Sequence, residues 1–121
     1  MSEESASAQT ILVVDDDPDV RDYAVSVLQE SGYAVLAAAT GEAALKILED
    51  DRRVDLLFTD VVMPGLNGFE VARIATSTRA GLKVLFASGY ATDLTPAGRL
   101  LKKPYRPKQL VAEIRALLRG K

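Results

Sequence analysis

A chain of 121 residues with a net charge of −2, no cysteine and no histidine has room for one domain and lacks several chemistries from the outset. It carries no thiolate, no imidazole base, no cysteine or histidine to ligate zinc and no phosphohistidine of its own, and its mildly acidic balance is not the basic footprint that sequence-independent nucleic-acid binding requires. Hydrophobic residues make up 48% and charged residues 26% of the chain, and no apolar run approaches the ~20 residues of a membrane span.

Residues 1–9 are small, polar and acidic, with neither the basic start nor the apolar centre of a signal peptide, so they read as a disordered leader to a domain over 10–121, and a cytoplasmic location is expected. Short β-branched runs then alternate with amphipathic stretches, the pattern of βαβ units in a parallel sheet. Residues 11–15 predict the first strand. Pro18 suits the first turn of a helix that places Val20, Tyr23, Ala24, Val27 and Leu28 at helical spacing and stops at Gly32. Residues 33–38 predict the second strand. Thr40 is placed to cap a helix over 41–50 with Ala44, Leu45 and Leu48 inward. The third strand is expected over 54–59. A turn-rich loop, 63–68, leads into a helix that starts at Asn67 or Gly68, buries Val71 and Ile74, and fades before Gly81. Residues 82–87 predict the fourth strand, and 107–118 the last helix, with Leu110, Ile114, Leu117 and Leu118 on one face. Between 91 and 101, Thr92, Asp93, Thr95, Pro96 and Gly98 break any helical pattern, so a shortened or missing fourth helix is expected before a short fifth strand over 99–102. Right-handed crossovers with helices on both faces give a flavodoxin-like, doubly wound (βα)5 fold with strand order 2-1-3-4-5.

That order makes strands one and three neighbours, and both end in acids: Asp15, Asp16 and Asp17 after the first, Asp60 after the third. Ligands of open α/β sheets gather at the carboxyl ends of the strands. Carboxylates crowded there stay ionised cheaply only beside a cation, and a hard oxygen donor set suits Mg²⁺, which keeps several of its waters. An aspartate next to such an ion can accept a phosphoryl group if a hydroxyl and an amine also hold it. Ser88 and Lys103 follow the fourth and fifth strands to the same edge. Lys103 is preferred to Lys102 because it precedes Pro104.

Together, Val13-Val14-Asp15-Asp16-Asp17-Pro18, Thr59-Asp60-Val61-Val62-Met63-Pro64-Gly65, Ala87-Ser88-Gly89 and Lys103-Pro104-Tyr105 resemble a response-regulator receiver domain over residues 10–119. The resemblance implies that Asp60 is the phosphoacceptor, with a histidine kinase or histidine phosphotransfer protein as donor. It further implies Mg²⁺ bound directly by Asp16, through water by Asp15, and by the backbone carbonyl of Val62. Ser88 would hydrogen-bond the phosphoryl group and Lys103 would pair with it, the lysine joined to Pro104 by a cis peptide; Asp17 is given no role. Two departures stand out. Leu100 occupies the place of the usual switch aromatic three residues before the lysine, and the interval from Ser88 to Lys103 is about two helical turns short. Phe86-Ala87-Ser88-Gly89-Tyr90 is similar to a Phe-Ala-Thr-Gly-Tyr-type motif of some single-domain regulators and hybrid-kinase receivers, which makes Tyr90 the candidate switch.

Rival readings are a haloacid-dehalogenase-type Mg²⁺ phosphatase with Asp15 as nucleophile in an Asp15-x-Asp17 pattern, a Ca²⁺ loop built on Asp15, Asp17 and Asp19, and a degenerate receiver that binds a partner constitutively. The first lacks room for a cap domain. The second has Val20 where an EF-hand needs glycine, and the third is at odds with the intact acids, Ser88 and Lys103.

Overall fold

The structure, a computed structural model, describes residues 8–89 and 99–119. Five strands, β1 (Thr10–Val14), β2 (Ala34–Ala38), β3 (Leu56–Asp60), β4 (Lys83–Ser88) and β5 (Arg99–Lys102), form one sheet in the order β2-β1-β3-β4-β5. Every neighbouring pair is parallel. Four helices lie among the described residues: α1 (Pro18–Glu30), α2 (Gly41–Leu48), α3 (Gly68–Thr78) and α4 (Pro107–Leu118). The expected shortened fourth helix, and Tyr90 with it, falls on residues 90–98, outside the described residues.

Strand side chains alternate between two apolar layers, so runs that look uniformly hydrophobic in sequence serve both faces of the sheet. Leu12, Val14, Leu57, Val84 and Phe86 face α2 and α3, whereas Ile11, Val13, Phe58, Leu85 and Leu101 face α1 and α4. Burial of the central strands β1, β3 and β4 on both sides is why these three end in polar residues where they leave the core.

The helix starts follow local chemistry. Thr40 Oγ1 accepts from the N–H of Ala43 at 3.0 Å. Asn67 and Glu70 form a reciprocal capping box at the start of α3, at 2.9 and 2.8 Å. Two expectations need correction here. Ile74 is 37% exposed, because Gly68, Val71, Ala72 and Ala75 form the buried stripe of α3, and at about 100° per residue Ile74 lies roughly 110° from the centre of that stripe. Strand β3 starts two residues later than expected, at Leu56, and runs on to include Asp60, which pairs in register with Ala87.

Candidate functional site

Register carries the acids together. Val14 lies opposite Thr59 in the β1–β3 pairing, so the next residue of each strand, Asp15 and Asp60, emerges side by side at the carboxyl edge. Oxygens of Asp15, Asp16 and Asp60 all lie within 4.8 Å of one another. At an effective dielectric of about 20, each pair of charges at that separation repels by about 3–4 kcal/mol. The ammonium of Lys103 answers part of this, with Nζ 3.1 Å from Asp15 Oδ2 and 3.2 Å from Asp60 Oδ1. Three carboxylates against one ammonium leave an excess of two negative charges, which matches a divalent cation. The donors are all hard oxygens, so Mg²⁺ fits this set better than a softer metal.

The three adjacent aspartates divide their work. Asp15 is 4% exposed, and its Oδ1 accepts from the N–H of Asp17 at 3.0 Å. Asp16 is exposed and points its carboxylate into the cluster. Asp17 is the N-cap of α1, accepting from the N–H groups of Asp19 and Val20 at 2.9 and 3.4 Å. One residue of the triplet is therefore a structural cap.

Electrostatics follow burial. Burial pushes the Asp60 carboxyl above the ordinary aspartate value of 3.8, with the Asp15 charge adding to the rise and Lys103 only partly offsetting it. Burial alone would lower the Lys103 ammonium, but its hydrogen bond to Asp15 and the charges of Asp15 and Asp60 outweigh that and hold it above its ordinary value. Lys103 is thus a permanent cation, while Asp60 is a carboxylate held at a cost. Burial likewise pushes the Tyr105 hydroxyl far above its usual range, aided by Asp15, Tyr23 and Asp60, so it stays protonated.

The remaining candidates are distributed as follows. Ser88 is 3% exposed at the end of β4, and its carbonyl accepts from the N–H of Lys103 at 2.8 Å, tying the β4 and β5 ends together. Lys102 is exposed, and the Lys103-Pro104 bond is cis. Val62, 58% exposed, follows Asp60 into the loop. Leu100 pairs in register with Phe86 and packs into the layer beneath α2 and α3.

Three contributions escaped the sequence reading. Tyr105 is a buried wall of the site, its ring 5.7 Å from that of Phe58 and 6.0 Å from that of Tyr23. Gly68 lets α3 begin against the backbone of Asp60, where a Cβ would collide with the Asp60 carbonyl oxygen. Arg21 reaches back from α1 to the carbonyl of Asp15 at 2.9 Å. The glycine had a visible signal, standing where a helix begins after a strand-end acid, and Tyr105 was visible as part of the Lys103-Pro104-Tyr105 motif but not as a wall of the site.

Comparison with known proteins agrees with this geometry. The chain is 36% identical over 115 residues to the response regulator receiver protein CpdR of Brucella abortus, covering 89% of this chain and 95% of that protein. It is 37% identical over 121 residues to the sensor kinase CckA of the same organism, covering 93% of this chain but only 13% of the kinase. Among solved structures it superposes on the response regulator TrrA of Thermotoga maritima in complex with Mg²⁺-BeF with a TM-score of 0.81 and 32% identity, covering 90% of this chain and 98% of that one. These likenesses leave the haloacid-dehalogenase reading without support. The family model described as the response regulator receiver domain matches residues 11–115, and the chain belongs to that family, a receiver domain of two-component signalling.

Proposed function

We propose that this receiver accepts a phosphoryl group on Asp60 from the phosphohistidine of a histidine kinase or a histidine phosphotransfer protein, with Mg²⁺ bound by Asp15, Asp16, Asp60 and the Val62 carbonyl. The observation that carries this reading is the meeting of three carboxylates within 4.8 Å with a lysine that touches two of them. The complex of TrrA with Mg²⁺-BeF supports the choice of ion.

An oxygen of Asp60 attacks phosphorus, the P–N bond to the donor imidazole breaks, and the imidazole leaves with a proton. The product is an aspartyl phosphate. Lys103 is already placed to follow the charge as it moves from the Asp60 carboxylate onto the phosphoryl oxygens. Ser88, at the end of β4, is the hydroxyl assigned to that group in this reading. Mg²⁺ supplies the screening that lets an anionic donor approach three carboxylates. Water later cleaves the acyl phosphate, so the domain turns over only its own modification and acts as a switch.

In exchange for the single charge of the Asp60 carboxylate, phosphorylation places up to about two negative charges on the phosphoryl oxygens beside Lys103. Attraction of Ser88 toward them, passed along the chain to Tyr90, is the proposed route to a changed partner surface, with no direct contact to nucleic acid. A cytoplasmic location is part of this proposal; among the described residues no helix is long and apolar enough to cross a membrane. The test is covalent labelling by a small phosphodonor, read by intact-mass spectrometry with and without Mg²⁺. Label is expected only with Mg²⁺ and not in Asp60→Asn; persistence of the label in that variant would contradict the proposal.

A further inference from the structure

We propose that Arg21 is a positioning residue for the loop that presents the metal-binding acids, an inference that rests on the metal-site reading above. Asp15 is held at each of its polar atoms. Its N–H donates to the Ala38 carbonyl at 3.2 Å, its Oδ1 accepts from Asp17 N–H at 3.0 Å, and its Oδ2 accepts from Lys103 Nζ at 3.1 Å. The fourth contact, from Arg21 Nη1 to the Asp15 carbonyl at 2.9 Å, is made by a half-buried side chain at the end of the first turn of α1.

That carbonyl belongs to the same planar peptide unit as the N–H of Asp16, so fixing its direction fixes where Asp16 leaves the strand. Asp16 needs such help. It is exposed, and among the described residues no hydrogen bond holds its carboxylate, whose place in the cluster therefore depends on the backbone behind it. The guanidinium thus orients one ligand through the peptide group of another, as outer partners commonly do around bound metals.

Charge and position predict opposite outcomes at this residue. A guanidinium beside a divalent cation repels it, so removing Arg21 would tighten Mg²⁺ binding if charge were its main effect. If positioning dominates, removal weakens binding, by about 10-fold on the usual scale of such outer contacts. Arg21→Met keeps the aliphatic stem and the helical preference while deleting every donor, and Arg21→Lys restores one donor and the charge.

The experiment is a Mg²⁺ titration of the unphosphorylated full chain by calorimetry, run for the unsubstituted protein, both Arg21 variants and Asp16→Asn. The amide resonances of Asp16 and Asp17 are compared in the metal-free state. Arg21→Met is expected to weaken Mg²⁺ binding about 10-fold and to move both amides, with a near-native melting temperature and with most of the affinity recovered in Arg21→Lys. Equal or tighter binding by Arg21→Met while Asp16→Asn is impaired would overturn the role of Arg21 alone. Absence of Mg²⁺ binding by the unsubstituted chain would overturn this inference together with the metal site it rests on.

Discussion

Substituting Gly68 by alanine pits two known effects against each other. In an ordinary helix the change stabilises by about 0.4–1 kcal/mol, because it removes freedom from the unfolded chain. Here the new Cβ would stand 3.0 Å from the Asp60 carbonyl carbon and 3.0 Å from Val61 Cα, and closer still to the Asp60 carbonyl oxygen. All three are backbone atoms of a buried central strand and its exit, and the Gly68 N–H is itself bonded to the Val61 carbonyl at 2.8 Å. Neither side can yield by turning a side chain, so an overpacking cost of about 1–3 kcal/mol applies and exceeds the entropic gain. A net loss of about 1–2 kcal/mol, at roughly 0.25 kcal/mol per degree for a chain of this length, lowers the melting temperature by about 4–8 °C. Thermal denaturation followed by circular dichroism measures it, with Gly89→Ala as control, since among the described residues a Cβ there meets nothing within 4 Å. The clash also displaces the residue proposed to react, so labelling should slow by an order of magnitude or more. An unchanged or raised melting temperature in Gly68→Ala would refute the steric argument.

Three further predictions follow from the same geometry. Asp17→Ala removes the cap of α1 and should cost about 1 kcal/mol in urea denaturation, while Mg²⁺ affinity stays the same. Because burial raises the Asp60 carboxyl, the folded chain favours its protonated form: that contribution to stability is complete below the ordinary aspartate value of 3.8 and is lost as pH rises through the higher folded value. Asp60→Asn should therefore be more stable than the unsubstituted chain at pH 8 without Mg²⁺, with the gap closing in acid. Saturating Mg²⁺, at 100 times its dissociation constant, should stabilise the unsubstituted fold by about 2.7 kcal/mol, and Asp16→Asn should lose this gain.

The strands and the site edge were legible in the sequence for one physical reason. Strands buried on both faces read as unbroken apolar runs, so the first acids after them mark where the chain reaches water, and Asp15, Asp16 and Asp60 stand there. Parallel topology then placed Ser88 and Lys103 at the same edge. What escaped depends on directions that no single-chain pattern records. Ile74 shares a three-residue spacing with Val71, yet the small residues Gly68, Ala72 and Ala75 decide which face of α3 meets the sheet. Tyr105 reads as part of a Lys-Pro-Tyr motif, and its packing on Phe58 appears only once β3 and the chain after β5 lie side by side. The contact of Arg21 with a backbone carbonyl has no signature in side-chain identity.

The central claim is that Asp60, rather than Asp15, takes the phosphoryl group. Reducing the Mg²⁺-dependent acyl phosphate with borohydride turns the modified aspartate into homoserine, and peptide mass spectrometry then locates it. Homoserine is expected at position 60, and homoserine at position 15 would contradict the account.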